Sequence, residues 1–369
     1  MPRPLPVKPS RPPARLPVRA PARAAPWRCI CALRGPGPVA PTPMNPHEPP
    51  YARPAWGRPL RRRFAAGAAL SVLIGMTGSV LAEPPLLGAR PAHVERALTE
   101  LPNAGAVVWR AWAPGLEDGY VPQGVAVVEG GIVVSAYAYK AAEAPGAICR
   151  LYRVDPQSGA VTGVHDVTAR CGHAGGIAYA GGGRLFIADT GSLIEIDAAR
   201  AFAKPGGEAG EGAGASAVVR QLDLQAPLRG SFLAYGDGAL WIGEYRKPGE
   251  GRLWRVPLAA LESPAEPGRL GERDATGSLP AAEASQGAAF DAQGRLWLTQ
   301  SSSQYGRLQT VDPADGRVLA AYAAVAGIEG LDFDREGMIW TVSEAGAKRW
   351  LNWPTFAPLL LRIDPARLR

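Results

Sequence analysis

The sequence predicts an all-β fold, a β-propeller of four-stranded blades, and three observations predict it. A two-strand unit joined by a glycine turn recurs five times between Gln123 and Glu344. A third alternating strand follows each copy. The segments between copies are rich in Gly and Pro and lack helical periodicity, which argues against a parallel α/β sheet with its obligatory crossover helices.

In the first unit, Gln123-Gly124-Val125-Ala126-Val127 turns at Gly130-Gly131 into Ile132 to Tyr137. The second runs from Gly175-Gly176-Ile177 through Gly181 to Gly183 into Leu185 to Asp189. The third runs from Ser231-Phe232-Leu233 through Asp237-Gly238 into Leu240 to Glu244. The fourth runs from Gln286-Gly287-Ala288 through Gln293-Gly294 into Leu296 to Gln300. The fifth runs from Glu329-Gly330-Leu331 through Glu336-Gly337 into Ile339 to Glu344. The third strands begin at Leu151, Leu193, Leu253, Leu308 and Leu360, and Asp-Pro turns end three of them. Units of this size repeating along the chain are the mark of a propeller.

The fifth unit ends with its third strand. The run Ala106 to Trp112 has no other partner, so it is expected to supply the missing fourth strand and close the ring, removing the open edge. That accounting gives five blades. A sixth would need a degenerate unit within 256–285. Otherwise Ser263 to Ser285 reads as an exposed loop, as does Lys204 to Ser216.

The rest of the chain reads as an export leader. Residues 1–59 hold about half of the 37 prolines and are expected to be disordered, with Met44 an alternative start. Residues 60–82 read as a signal peptide: Arg61-Arg62-Arg63, an apolar run from Phe64 to Leu81 softened by Gly and Ala, and a small-residue site at Val80-Leu81-Ala82. Arg61-Arg62-x-Phe64 resembles a twin-arginine signal; a Sec signal or a retained anchor are the alternatives. The expected product is a single propeller domain over 83–369, periplasmic or secreted, without a stable membrane span after processing, and a monomer.

Charge divides the same way. Residues 1–82 carry 13 Lys/Arg against Glu48 alone, a net +12, whereas the remainder carries 27 against 32, a net −5. The overall +7 therefore belongs to the leader, and a mildly acidic folded part argues against nucleic acid as a partner. Cys29 and Cys31 fall in the leader. Cys149 and Cys171 remain, an even pair in an oxidising compartment. Cys149 starts the first unit's third strand and Cys171 lies just past the end of its fourth. Antiparallel pairing of those strands brings the two within disulfide reach.

Strand direction places the site. Inner-strand starts share a face with the loops after the second strands, and polar residues gather there. The expected small-molecule ligand would meet Gln123, Tyr137, Asp189, Ser231, Glu244, Gln286, Ser301, Glu344 and Lys348. His173, set among glycines, and Glu329, a carboxyl aimed into a narrow channel, are the candidate catalytic residues. Glu329 is also the candidate metal ligand. Neither Gly-x-Ser-x-Gly nor His-Glu-x-x-His occurs, so a lipase-type hydrolase and a common zinc protease are unsupported.

Glu329-Gly330-x-Asp332-x-Asp334-x-x-Gly337-x-Ile339-Trp340, with Gln286-Gly287 and Gly294-Arg295-Leu296-Trp297, resembles the gluconolactonase and calcium-dependent phosphotriesterase propeller superfamily. His173-x-Gly175-Gly176 and Glu344-x-Gly346-x-Lys348 also resemble secreted bacterial propellers of unknown function. The first resemblance implies a metal-dependent hydrolase, lactonase- or esterase-like, with Ca²⁺ or another divalent cation at the channel mouth and no other cofactor. The chain departs from it in two ways: Gln123, Ser231 and Gln286 stand where Asn and Asp are expected, and five units replace six. The alternative is a non-catalytic periplasmic interaction or ligand-binding scaffold.

The leader reading predicts a mature N-terminus near Glu83. Edman or mass-spectrometric sequencing of exported protein checks it, and a start upstream of Phe64 contradicts it.

Overall fold

The computed structural model describes residues 83–93, 95–139, 149–167, 170–203 and 217–369. Residues 1–59 and 60–82, expected to be a leader and a signal peptide, and Lys204 to Ser216 lie outside the described residues. Within them the strands form five sheets. Blade I holds β3 (Tyr120–Val128), β4 (Gly131–Ala138), β5 (Cys149–Val154) and β6 (Val161–Asp166). Blade II holds β7 (Gly176–Tyr179), β8 (Arg184–Asp189), β9 (Ser192–Asp197) and β10 (Val218–Leu224). Blade III holds β11 (Phe232–Gly236), β12 (Ala239–Gly243), β13 (Gly251–Pro257) and β15 (Gly277–Ala281), with β14 (Arg269–Leu270) between the last two. Blade IV holds β16 (Ser285–Phe290), β17 (Leu296–Ser301), β18 (Gly306–Val311) and β19 (Val318–Ala324). Blade V holds β20 (Ile328–Phe333), β21 (Ile339–Ser343) and β22 (Leu359–Ile363). Its fourth strand is the N-terminal β2 (Val107–Trp112), antiparallel to β22, as the sequence predicts.

Two edges carry a fifth, parallel strand. β1 (Leu86–Leu87) lies on β2, and β14 crosses from blade III to lie on β10 of blade II. The segment Ser263 to Ser285 is therefore not a loop, nor does it hide a sixth blade: it supplies blade III's outer strand and blade II's edge. Its strands escape a sequence reading because β14 is two residues long and β15 contains Pro280, both tolerated only at an edge. Among the described residues no helix is long and apolar enough to cross a membrane.

The core is distributed among the junctions between blades. Val133 and Leu151 of blade I pack with Ile177, Ile187 and Ile194 of blade II. Phe186 and Leu193 meet Leu240 and Ile242 of blade III. Phe232 and Leu253 meet Leu296 and Leu298 of blade IV. Trp297 and Leu308 meet Leu331, Ile339 and Leu361 of blade V. Trp340, Val342 and Leu360 of blade V return to Val121, Val125 and Val134 of blade I, and this fifth junction closes the ring.

At the axis the inner strands nearly touch. A methyl group on Gly330 would lie 2.7 Å from the Cα of Gly124, and one on Gly287 would lie 2.8 Å from the Cα of Gly330. Only glycine fits such an approach. The strand registers slip at the same places, between Pro122 and Val125, Ser285 and Gly287, and Ile328 and Leu331. An irregularity of this kind re-aims a side chain. The residues caught in it are Gln123, Gln286 and Glu329. Buried hydroxyls on two of the second strands tie a blade to its neighbour: Ser135 Oγ donates to Ala174 O at 2.8 Å, and Thr299 Oγ1 donates to Glu329 O at 2.7 Å.

On the opposite face the turn residues explain the recurring tryptophans. Asp291 accepts from Trp297 Nε1 at 2.9 Å and from the Arg295 backbone at 3.0 Å. Asp334 does the same for Trp340 Nε1 at 2.9 Å and the Met338 backbone at 3.0 Å. One carboxylate thus satisfies both the turn and an indole N–H that burial would otherwise strand. In blade III the turn's exposed Asp237 pairs with Arg255 instead, and Trp241 Nε1 is buried without a hydrogen-bond partner.

Cys149 and Cys171 form a disulfide with Cα atoms 5.5 Å apart and a sequence separation of 22. Both sulfurs are buried in the junction between blades I and II. Closing a loop of this length is worth roughly 3 kcal/mol in the chain-entropy model. A Cys149→Ser/Cys171→Ser double variant should lose about that much stability in non-reducing urea denaturation. An unchanged midpoint contradicts it.

Candidate functional site

Inner-strand starts and the loops that follow the second strands meet on one face around a cavity of about 740 Å³. Seven of the sequence-predicted residues line it: Gln123, Tyr137, His173, Ser231, Gln286, Ser301 and Glu344. Glu329 lies just beneath, 1 % exposed, with its carboxyl held by Gln286 Nε2, which donates to Oε1 at 2.9 Å. Gln123 Nε2 donates to Glu344 Oε2 at 3.0 Å. Each amide therefore clamps one carboxyl.

The two carboxyls are partners of each other. Glu329 Oε2 is buried and receives no N–H or hydroxyl donor. Two ionised carboxylates cannot hydrogen-bond, so this contact is satisfied only when the pair holds a proton between its members. Burial, and next the Glu344 charge, push Glu329 well above the ordinary carboxyl value. Burial pushes Glu344 up to about 7, opposed by the hydrogen bonds donated to it and by the Arg349 charge.

Tyr137 and His173 form a wall beside the pair, their ring centroids 5.1 Å apart. Arg349 Nη1 donates to the Tyr137 hydroxyl at 2.5 Å, and its guanidinium stacks over Trp350 at 4.4 Å. Trp350 in turn stacks on Trp353 at 4.6 Å. Burial raises the Tyr137 hydroxyl far above its usual range, so it stays protonated. Burial lowers His173, against the nearby Asp189 charge, so the imidazole is neutral near pH 7.

The other predicted residues stand outside the cavity wall. Asp189 accepts from the backbone N–H groups of Gly172, His173 and Ala174, at 3.0, 2.5 and 2.9 Å. It fixes the loop that carries His173, whose far end the disulfide anchors. Glu244 pairs with Arg246 at 3.2 Å. Lys348 Nζ donates to Glu117 O at 2.5 Å. Sequence reading did not select Arg229, Lys247 or Trp353, which also line the cavity. They sit on aperiodic loops; the available signal was their closeness to blade III's inner-strand start and to the loop after β21.

Three potential metal ligands converge among the described residues at Cys149, Cys171 and Asp189. Both sulfurs are consumed by the disulfide and the Asp189 oxygens by three N–H groups, so this cluster does not fit a cation. At the channel mouth the donors are two carboxyls and two amides, and the amides present N–H groups to the carboxyls. Ca²⁺ takes six or more oxygens. This set fits a shared proton better.

A second cavity, about 760 Å³, opens on the opposite face between blades I and V. Its polar groups engage each other: Arg362 donates to Asp334 at 2.7 Å and to Glu336 at 2.6 Å. The channel mouth adjoins two buried carboxyls that contact each other.

No family model and no curated protein matches the sequence. Solved structures with similar folds include a glutaminyl cyclase from Myxococcus xanthus, at 15 % identity and TM-score 0.45, covering 70 % of this chain and 94 % of that one. They include a PQQ-bound aldose sugar dehydrogenase from Streptomyces coelicolor, at 15 % identity and TM-score 0.37, covering 64 % and 77 %. An oxidoreductase (glucose dehydrogenase) from Thermus thermophilus is similar at 17 % identity and TM-score 0.38, covering 66 % and 96 %. No sequence family is identified, and the five-bladed fold rests on the blades themselves.

The raised carboxyls set the pH dependence of stability. In the unfolded chain Glu344 ionises near 4.5, and in the folded protein near 7. Between those values the folded state retains a proton that the unfolded state has released, so stability falls as pH rises. Asp332, half-buried at the junction of blades V and I and raised to about 6 by desolvation, adds a fall over a lower range. His165 and His173, lowered by burial from 6.5, act in the opposite sense below that value, so the melting temperature should decline from about pH 6.5 to about pH 8. Glu344→Gln should flatten the decline; a melting temperature that climbs over this range contradicts the assignment.

Proposed function

We propose that this protein is an exported propeller that binds a small polar ligand at the channel mouth and hydrolyses it by acid–base chemistry, with lactones and esters as the substrate class. The observation that carries the reading is the buried Glu329–Glu344 carboxyl pair, each member clamped by a glutamine, at the floor of a preformed cavity. Glu344 is the member that faces the cavity. A group that titrates near 7 serves both as base and as acid at neutral pH.

The steps balance on one residue. Ionised Glu344 takes a proton from water as the water oxygen bonds to the carbonyl carbon. The carbon–oxygen bond to the leaving group then breaks, and Glu344 returns the proton to the departing oxygen. One water is consumed, and an acid and an alcohol are released. Glu329 is a positioning residue beneath Glu344. The neutral His173 and the Tyr137 hydroxyl are placed to donate or accept hydrogen bonds at the substrate.

A cation-dependent form of this hydrolase is the second reading, and the resemblance to the calcium-dependent propellers supports it. One observation favours it: Glu329 Oε2 lacks any N–H donor, so a cation could take the place of the shared proton. A non-catalytic scaffold is the remaining alternative.

One experiment orders these readings. Hydrolysis of a lactone and ester panel should rise with pH through about 7, and Glu344→Gln should lose about 100-fold or more. The same protein, dialysed against Ca²⁺ or Zn²⁺ and then washed, should retain no stoichiometric metal. Metal that is retained and then lost in Glu329→Gln establishes the second reading. A silent panel with no metal leaves the scaffold.

A further inference from the structure

We infer that the ligand of this site carries an anionic group, docked at the corner of blade III by Arg229 and Lys247, across the channel from the carboxyl pair. The inference rests on the channel mouth being a small-ligand site, as proposed above.

Topology brings the two cations to one corner. Ser231 N donates to Gly243 O at 2.7 Å, where the start of β11 meets the end of β12. Arg229 lies two residues before that bond and Lys247 four residues after it, on the two loops that leave the corner. Both side chains line the cavity. Among the described residues neither forms a salt bridge or donates a side-chain hydrogen bond. The contrast with their surroundings is sharp. Arg246 pairs with Glu244, Arg252 donates to Ser278 and Arg255 pairs with Asp237. Of the three basic groups that line the cavity, Arg229, Lys247 and Arg349, the first two are the unpaired ones.

The charge of the lining agrees. Arg229, Lys247 and Arg349 are cations, and Glu344 is the one carboxylate among the lining residues. Arg349 is engaged by the Tyr137 hydroxyl and the Trp350 ring, which leaves the blade III corner to meet a ligand's charge. The carboxyl pair belongs to blade V, and blade IV separates blade V from blade III. A ligand that reached both would place its anionic end at the rim and its neutral polar end at the floor. Tyr245, Trp350 and Trp353 also line the cavity and suit a flat or apolar body.

Matched acids and amides test this. Isothermal titration calorimetry would compare phenylacetate with phenylacetamide, gluconate with gluconamide, and benzyl phosphate, on wild-type protein and on Arg229→Ala/Lys247→Ala. Both substituted residues are exposed, so the variant is expected to fold, and its melting temperature checks that. At least one acid should bind more tightly than its amide. That preference should shrink by roughly ten-fold in the double variant, the size expected for two exposed charge pairs, and should weaken with added salt. A tighter benzyl phosphate supports the inference and assigns a doubly charged group. If acid and amide bind alike, or the double variant keeps the preference, the anion inference falls while the small-ligand site stands. Silence of every probe on wild-type protein overturns both.

Discussion

The close approach of inner strands at the propeller axis is the constraint on which the rest of the structure depends. With only five blades the axis is narrow, and the backbones of β3, β16 and β20 meet at Gly124, Gly287 and Gly330 with no room for a side chain. The strand registers slip at these same glycines. The residue before each glycine is thereby turned toward the channel, which is why Gln123, Gln286 and Glu329 converge there. The site's floor is a by-product of ring closure: the glycines that let the ring close also aim the polar residues beside them.

A floor made in this way is expensive. Glu329 is fully enclosed, and Glu344 is nearly so. Burying a carboxylate without a compensating charge is unfavourable, and the pair responds by retaining a proton. Two glutamines satisfy one oxygen of each, and Glu329 Oε2 is left buried without a donor. A pair of leucines would be cheaper in a site meant only to close the ring. The chain keeps an arrangement that lowers its stability at neutral pH in a place where a cavity of ligand size adjoins it, and this is where proton transfer would be useful.

Much of the fold was legible because ring closure imposes a repeat. The polar-Gly start, the turn glycine and the aromatic centre of the second strand recur for physical reasons: axis crowding, a left-handed turn position, and an indole held by the turn aspartate. Asp291 with Trp297 and Asp334 with Trp340 are copies of one device. Where no such constraint acts, the pattern fades. β14 and β15 lie at sheet edges, need no tight packing at the axis, and read as loop. The site divides along the same line. Residues aimed by the inner strands were visible. Arg229, Lys247 and Trp353 hang from loops whose sequence obeys no period, so only the folded chain shows that they share a cavity with Gln123 and Gln286.

The pairing of Glu329 with Glu344 is a third kind of case, because each residue was legible and their relation was not. Ile328 pairs with Ser343, so the two glutamates follow directly on a matched pair of an antiparallel ladder. In a regular ladder they would diverge, one running up the sheet and the other leaving it. The slip between Ile328 and Leu331 turns Glu329 inward, and the backbone hydrogen bond from Glu344 N to Gly327 O, at 2.9 Å, keeps Glu344 beside the strand instead of releasing it into the loop. Next door, the aspartate that ends β8 gathers the backbone of residues 172–174 and holds His173 against Tyr137. On both sides of the channel a buried carboxylate or an irregular strand fixes the polar group that faces the cavity. The polar groups at the channel mouth are therefore fixed by the blades themselves, whereas Arg229, Lys247 and Trp353 reach the same cavity from loops.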